Sequence, residues 1–407
     1  MTPRTRALAA LTVLAVLLAT VVGCGVSTTS LESGRSPDPS RPSAIGTPPT
    51  SPAPSATPTL DPSALLEGAR KAQDAPGAIA VLDVGGTRTF LAAGAASTTG
   101  GELTETTRFR IASITKPVIG ALVLTAVARD EVALDDVVGD LLPGAVRPSP
   151  AITVRQLLDH TSGVFDEGND GDPVADIEKL ADPAAREEAR DILERYEAGE
   201  KVIAPARMIV ALAETHERYF APGAGYHYSN VNYLLAGMVL EAVTGQSLAE
   251  LLRSRIVDPL GLRHTTIAPP DTGSPELRGY TQSSAGADLV DVTDDLSWFG
   301  NGGNGGIIST PGEVLAILRA TVTAQLFPES LVAEMVQPNR ESYGLGLATY
   351  DFECGTFYGH NGLVNGTHST AVISADGADG AVIALGLMSA RDPRLALVAE
   401  SMLCAGR

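Results

Sequence analysis

Strand-forming sequence lies at the two ends of the globular part of this chain, and that separation constrains the fold more than any other feature. Ala78-Ile79-Ala80-Val81-Leu82-Asp83-Val84, the pair Gly85-Gly86 and then Thr87 to Ala93 read as a β-hairpin. Near the C-terminus, Thr356 to His360 and Thr367 to Ser374 read as strands. Asp376-Gly377-Ala378-Asp379-Gly380 then turns the chain into Ala381 to Leu385, and a helix from about Pro393 to Cys404 follows. The middle is largely helical: Ser113 to about Ala128, Val154 to Leu158, and Val231 to Val243 ended by Gly245. Residues 165–200 are rich in charge and read as exposed helices in an insertion. No internal repeat is present. The expectation is an α/β (α+β) fold, with an antiparallel sheet formed from both chain ends, flanked by helices, and a mostly helical second subdomain.

The first sixty of the 407 residues do not read as globular. Arg4 and Arg6 make a basic start, an apolar run from Ala7 to Val22 follows, and Val21-Val22-Gly23-Cys24 closes it. That run is short for a bilayer span and suits the core of an export signal. Its ending resembles a bacterial lipobox, which makes residues 1–24 a lipoprotein signal and Cys24 the lipidated first residue of the mature chain. A plain N-terminal membrane anchor is the alternative, and both place the bulk of the chain outside the membrane. Residues 25–60 are rich in Ser, Thr and Pro, with little to bury, and read as a disordered tether spanning roughly 100 Å at most. Residues 61–407 then hold one large core.

Lys and Arg number 29 against 48 Asp and Glu, a net charge of −19, and no basic patch suggests nucleic acid. Beyond the signal only Cys354 and Cys404 remain, without metal-site spacing. In an exported domain such a pair reads as a disulfide closing a long loop, with two unpaired buried thiols as the alternative.

Three short motifs carry the chemistry. Ser113-Ile114-Thr115-Lys116 follows strand-like Arg108 to Ile111 and opens a helix, so Lys116 lies one turn on, on the face of Ser113. The helix N-terminus and burial both disfavour an ammonium there, which suits Lys116 to take the proton of a nucleophilic Ser113. A Ser cap followed by an exposed Lys is the bland alternative. Tyr228-Ser229-Asn230 leads into the Val231 helix. A phenol beside a cationic lysine has a lowered pKa and relays protons, while Asn230 offers a donor and an acceptor to a substrate amide. His360-Asn361-Gly362 falls on or beside a strand, where Gly362 leaves room for a substrate backbone. The N–H groups of Leu363 and Ser113 would then form an oxyanion hole. A strand histidine taken alone is more often structural. Gly300 to Gly305 matches a dinucleotide-loop spacing, but it follows no convincing strand and enters no helix, so it reads as a flexible turn near the cleft. No Gly-x-Ser-x-Gly or His-Glu-x-x-His is present.

At these residues the chain resembles the serine β-lactamase and penicillin-binding protein superfamily. Phe109 to Pro117 looks like its nucleophile segment, and Val154 to Gly163 like its structural loop, which makes His160 architectural. Pro222-Gly223 before Tyr228-Ser229-Asn230, Gly305 to Thr310, and Tyr343-Gly344-Leu345-Gly346-Leu347 are similar too. The branch it most resembles holds class C β-lactamases, related esterases and, nearest, secreted actinobacterial D-alanyl-D-alanine carboxypeptidases. Ser297-Trp298 resembles their cleft edge, and Cys354, Gly355 and Cys404 fit their cysteine pattern, in support of the disulfide. The resemblance implies Ser113 as nucleophile, Lys116 as base, Tyr228 as proton shuttle, Asn230 as substrate amide ligand and His360 as a source of cleft electrostatics. It also implies that Asn361, Gly362 and Trp298 line the substrate.

Two positions depart from the carboxypeptidases. Asn361 stands where they have Thr, and Ala348 follows Gly344-Leu345-Gly346-Leu347 where they can carry a carboxylate-binding Arg. The expected function is an exported D-alanyl-D-alanine carboxypeptidase-like hydrolase of cell-wall peptides, held to the outer face of the membrane through Cys24. A β-lactamase, an esterase, an amidase, an endopeptidase and a non-catalytic binding lipoprotein stay open. The reaction calls for no metal or cofactor, and the sequence leaves the oligomeric state unstated.

Overall fold

The computed structural model describes residues 61–147, 151–200, 202–267, 274–284, 286–294, 302–389 and 394–405. The readings on residues 1–24, on the tether 25–60 and on Trp298 therefore lie outside the described residues.

Both chain ends meet in one six-stranded sheet. Its strands, numbered along the chain, are β1 (Gly77–Val84), β2 (Thr87–Gly94), β3 (Ala348–Phe352), β4 (Gly355–Val364), β5 (Thr367–Ser374) and β6 (Gly380–Leu385). Their spatial order is β2-β1-β6-β5-β4-β3, and every pairing is antiparallel. The turn between β1 and β2 is Gly85-Gly86, with φ of 56° and 79°. Two consecutive positive φ values match the right-handed strand twist and are nearly strain-free only for glycine.

β1 is buried along almost its whole length, because helices cover both faces of the sheet. Ala78, Ala80 and Leu82 point to one side, packing with Leu66, Leu395, Ala399 and Leu403 of the helices Pro62–Gln73 and Leu395–Cys404. Ile79 and Val81 point to the other, into a larger core with Leu315 and Leu318 of the helix Pro311–Val322. The sulfurs of Cys354 and Cys404, 1.99 Å apart, tie the β3–β4 turn to the end of the last helix.

The helix Thr115–Val127 is buried at every position from Thr115 to Ala126, so it has no polar face and runs through the core. It packs against the helix Asn230–Thr244, itself buried from Val231 to Gly237. Ile111 sits at the end of a two-residue strand, Phe109–Arg110, which belongs to a separate three-stranded sheet with Ile307–Ser309 and Thr266–Ile267. Residues 165–200 depart from the expected exposed insertion. They form helices Glu167–Asp170, Pro173–Ile177 and Pro183–Glu197, and Ile177, Leu180, Ala189 and Ile192 join the main core. The charges of the last helix occupy one face, and its apolar stripe is packed away. Among the described residues no single helix is long and apolar enough to cross a membrane.

Candidate active site

Ser113 lies in a tight turn, Ala112–Ile114, that feeds directly into the helix Thr115–Val127. Ala112 before it holds φ at 52°, a left-handed conformation costing an L-residue about 1–2 kcal/mol. The Ile111 N–H donates to the Ile307 carbonyl at 3.1 Å, and the Ile114 N–H to the Ile111 carbonyl at 3.2 Å. These bonds hold the strained turn, which presents Ser113 half-buried at the cleft.

Lys116, one turn on, is 0 % exposed, since its helix has no solvent side. Its Nζ lies 3.0 Å from Ser113 Oγ, 2.8 Å from Asn230 Oδ1 and 2.9 Å from the Asn304 carbonyl. Burial pushes its pKa down to about 7, against an opposing pull from Asp166. Two of the three partners are carbonyl-type oxygens that only accept. A neutral Lys116 therefore spends both N–H bonds on Asn230 and Asn304 and turns its lone pair to the one partner that can donate, the hydroxyl of Ser113.

Asn230 is held in that sense by Asp166. The carboxylate accepts from the Asn230 backbone N–H at 3.1 Å and from Nδ2 at 3.3 Å, which leaves Oδ1 facing Lys116. Asp166 is itself buried and raised to about 6, by burial first. The expectation for Asn230 is corrected in part: donor and acceptor are already engaged within the protein, and one N–H and one lone pair remain for a substrate.

The centroid of the Tyr228 ring lies 4.8 Å from Lys116 Nζ, beside the nucleophile's base. The phenol's pKa is raised, not lowered as the sequence suggested, because burial dominates, with the nearby Asp166 carboxyl adding to it. Tyr228 is a protonated phenol at neutral pH. Behind it stands His160, fully buried, with ring centroids 4.4 Å apart. His160 Nδ1 accepts from the Ser229 N–H at 3.2 Å and is 3.1 Å from Asn232 Nδ2, so the imidazole braces the Tyr228 segment from the rear.

The third motif lies on β4. β3 ends its pairing at Gly359, so His360 to Val364 pairs only with β5 and turns its other edge to the Ser113 turn. His360 Nδ1 is 2.5 Å from the Asn361 carbonyl, which can only accept, so the proton sits on Nδ1. Nε2, 3.0 Å away, then accepts from the Tyr343 hydroxyl. Burial, and Lys116 next, push His360 down to about 3. The electrostatic contribution expected of His360 is thus that of a neutral ring, which acts as a hydrogen-bonded wall. Asn361 is exposed, its Oδ1 accepting from Thr370 Oγ1 at 2.7 Å. Gly362 is also reassigned. A Cβ there would lie 2.3 Å from Ser369 Oγ and 2.5 Å from the Ile111 carbonyl, so the space it leaves is filled by the nucleophile turn, not by a substrate. Leu363 follows, 43 % exposed at the cleft edge.

Three participants had no role assigned in the sequence reading. Asp166 had no local signal. The Asn304 carbonyl had one, because Gly302–Asn304 forms a tight turn inside the glycine-rich run. Tyr343 was noticed only as part of a segment.

A family model described as Beta-lactamase matches residues 63–400. A D-aminopeptidase of Cereibacter sphaeroides is 28% identical over 280 residues, covering 66% of this chain and 48% of that protein. Esterase EstB of Burkholderia gladioli is 35% identical over 173 residues, 40% of this chain and 39% of that one. The chain thus spans about half the length, or less, of these curated relatives. The solved structure of a D-stereospecific amidohydrolase from Streptomyces sp. superposes with a TM-score of 0.69 at 32% identity, covering 85% of this chain and 98% of that one.

Proposed function

This chain belongs to the beta-lactamase family, and on that footing we propose that it is a serine hydrolase of amide bonds at D-amino acid residues, acting through an acyl-enzyme at Ser113. The observation that carries the proposal is the set of contacts around Lys116, in which Ser113 is the only partner able to give a proton. In the proposed reaction Ser113 Oγ attacks the substrate carbonyl carbon while its proton passes to Lys116 Nζ. The backbone N–H groups of Ser113 and Leu363 hold the developing oxyanion. Lys116 and the protonated Tyr228 return a proton to the leaving nitrogen as the C–N bond breaks. Water then attacks the ester, giving the free acid and restoring Ser113.

Two relatives with names specifying D-configuration support a D-residue on the acyl side, as does the resemblance to carboxypeptidases of cell-wall peptides. Ala348 favours a second reading of the leaving group. It stands opposite Gly359 at the start of β3, and no arginine is there to hold a terminal carboxylate. A C-terminal amide, ester or longer peptide then serves as well as a free D-Ala. We also propose export and anchoring outside the membrane through Cys24, on the basis of Arg4, Arg6, the apolar run and Val21-Val22-Gly23-Cys24.

Timed intact-mass spectrometry with benzylpenicillin tests the acyl-enzyme, with Ser113→Ala alongside. A Ser113-dependent adduct lasting minutes fits the peptidase reading, and rapid hydrolysis without an adduct makes the protein a β-lactamase. Peptides ending in D-Ala-D-Ala, free and amidated, test the leaving group, with cleavage rates expected within about tenfold of each other. Neither an adduct nor cleavage of any D-residue amide would overturn the proposal.

A further inference from the structure

Next to Asp166 in the chain begins a second cluster of chemically competent side chains. Glu167, Asp176 and His216 come from three segments: the helices Glu167–Asp170 and Pro173–Ile177, and the turn after the helix Ala206–Ala213. One ligand atom of each lies within 4.8 Å of the other two. Glu167 is 0 % exposed, and neither of its carboxyl oxygens has a hydrogen-bond partner. A buried carboxyl group with neither oxygen partnered is costly for a fold to hold. His216 Nε2 is 2.9 Å from Asp176 Oδ2, yet it is not aligned as a hydrogen bond. Asp176 is 1 % exposed; its Oδ1 accepts from Lys179 Nζ at 2.6 Å and its Oδ2 from the Asp172 N–H at 3.0 Å. Lys179 pairs with Asp176, and no ion pair answers Glu167 among the described residues. Phe165 stacks on the His216 ring with centroids 3.9 Å apart, which fixes the plane in which Nε2 points.

We propose that Glu167, Asp176 and His216 bind one divalent transition-metal ion, Zn²⁺ by the chemistry of the set. One imidazole nitrogen with two carboxylate oxygens suits Zn²⁺ at about 2.0–2.2 Å, with water completing a tetrahedron. The ion supplies the partner that the buried Glu167 oxygens lack and pins residues 165–177 to the turn after the helix Ala206–Ala213. It takes no part in the hydrolysis proposed above, since none of its three ligands touches Ser113, Lys116 or Tyr228. It steadies the segment from which Asp166 holds Asn230.

The test uses the purified protein, stripped with EDTA, dialysed and titrated with ZnCl₂, with bound zinc counted by elemental analysis. One zinc per chain is expected, together with a rise in melting temperature. Glu167→Gln and His216→Gln should each weaken binding at least about tenfold. Glu167→Gln keeps the shape and removes a carboxylate ligand, so in EDTA it should melt close to the wild type. His216→Gln keeps the test decisive if the first variant fails to fold. Absence of saturable zinc uptake by the wild type, or unchanged uptake in either folded variant, overturns the proposal.

Discussion

The pKa of Lys116 makes a prediction that can be read in stability as well as in rate. Holding a lysine at about 7 instead of 10.5 costs the native state roughly 5 kcal/mol wherever the side chain is charged in both states. Below pH 7 native and unfolded chains both carry the proton, and the penalty is constant. Between pH 7 and 10.5 the unfolded chain still binds a proton that the native protein has released, so stability rises with pH. Over the interval from pH 7 to pH 9 this gain is ~2 kcal/mol. Lys116→Met removes the titration while keeping the length of the side chain. Its absolute effect is mixed, because it leaves Asn230 Oδ1 and the Asn304 carbonyl without their donor. The difference in slope is not mixed. Urea unfolding followed by far-UV circular dichroism, at pH 7 and pH 9, should show the wild type gaining ~2 kcal/mol relative to Lys116→Met. In parallel, kcat/KM for a cleaved amide or for penicillin should fall about tenfold per pH unit below pH 7, as the base becomes protonated. A wild-type-minus-variant difference independent of pH, with no acid limb near 7, would refute the neutral-lysine argument.

Two other perturbations follow from distances in the structure. Gly362→Ala drives a methyl group against Ser369 Oγ and the Ile111 carbonyl, so the turn carrying Ser113 must move. Acylation by benzylpenicillin, followed by mass, should slow by about 100-fold in a protein that still folds, and an unchanged rate would show that the turn tolerates the shift. Replacing Cys354 and Cys404 with Ser opens a loop of sequence separation 50 and should lower unfolding stability by about 4 kcal/mol in the chain-entropy picture. Equal urea midpoints for the two forms would contradict a bond between those sulfurs in the folded protein.

The sheet was legible because its strands are apolar runs broken by glycine turns, and the two faces of β1 alternate as the period of two requires. β4 ran further than the residues suggested. Asn361 and Gly362 look like breakers, but pairing of Asn361 to Val364 with Thr367 to Thr370 keeps that stretch extended. The insertion was misjudged for the opposite reason: its charges are conspicuous, while Ile177, Leu180, Ala189 and Ile192 are sparse and only their shared burial reveals a packed face. At the site, Ser113 and Lys116 were readable because one helical turn joins them. The charge states of Tyr228 and His360 were not, since each is decided by burial, which spacing does not report.

The same distinction explains why Asp166 escaped notice while orienting the amide that faces Lys116. A motif records which side chains sit near each other in sequence, whereas an amide's orientation is set by whatever faces its two ends. Asn230 could present either its oxygen or its NH₂ to Lys116, and only the oxygen leaves the lysine lone pair free for Ser113. Asp166 chooses the oxygen by accepting from the NH₂ and the backbone N–H of the same residue. The nucleophile's base is therefore directed by a carboxylate that touches neither of them. Asp166 is a positioning residue: it orients Asn230 Oδ1 toward Lys116 Nζ, besides the direct pull it exerts on the lysine's charge.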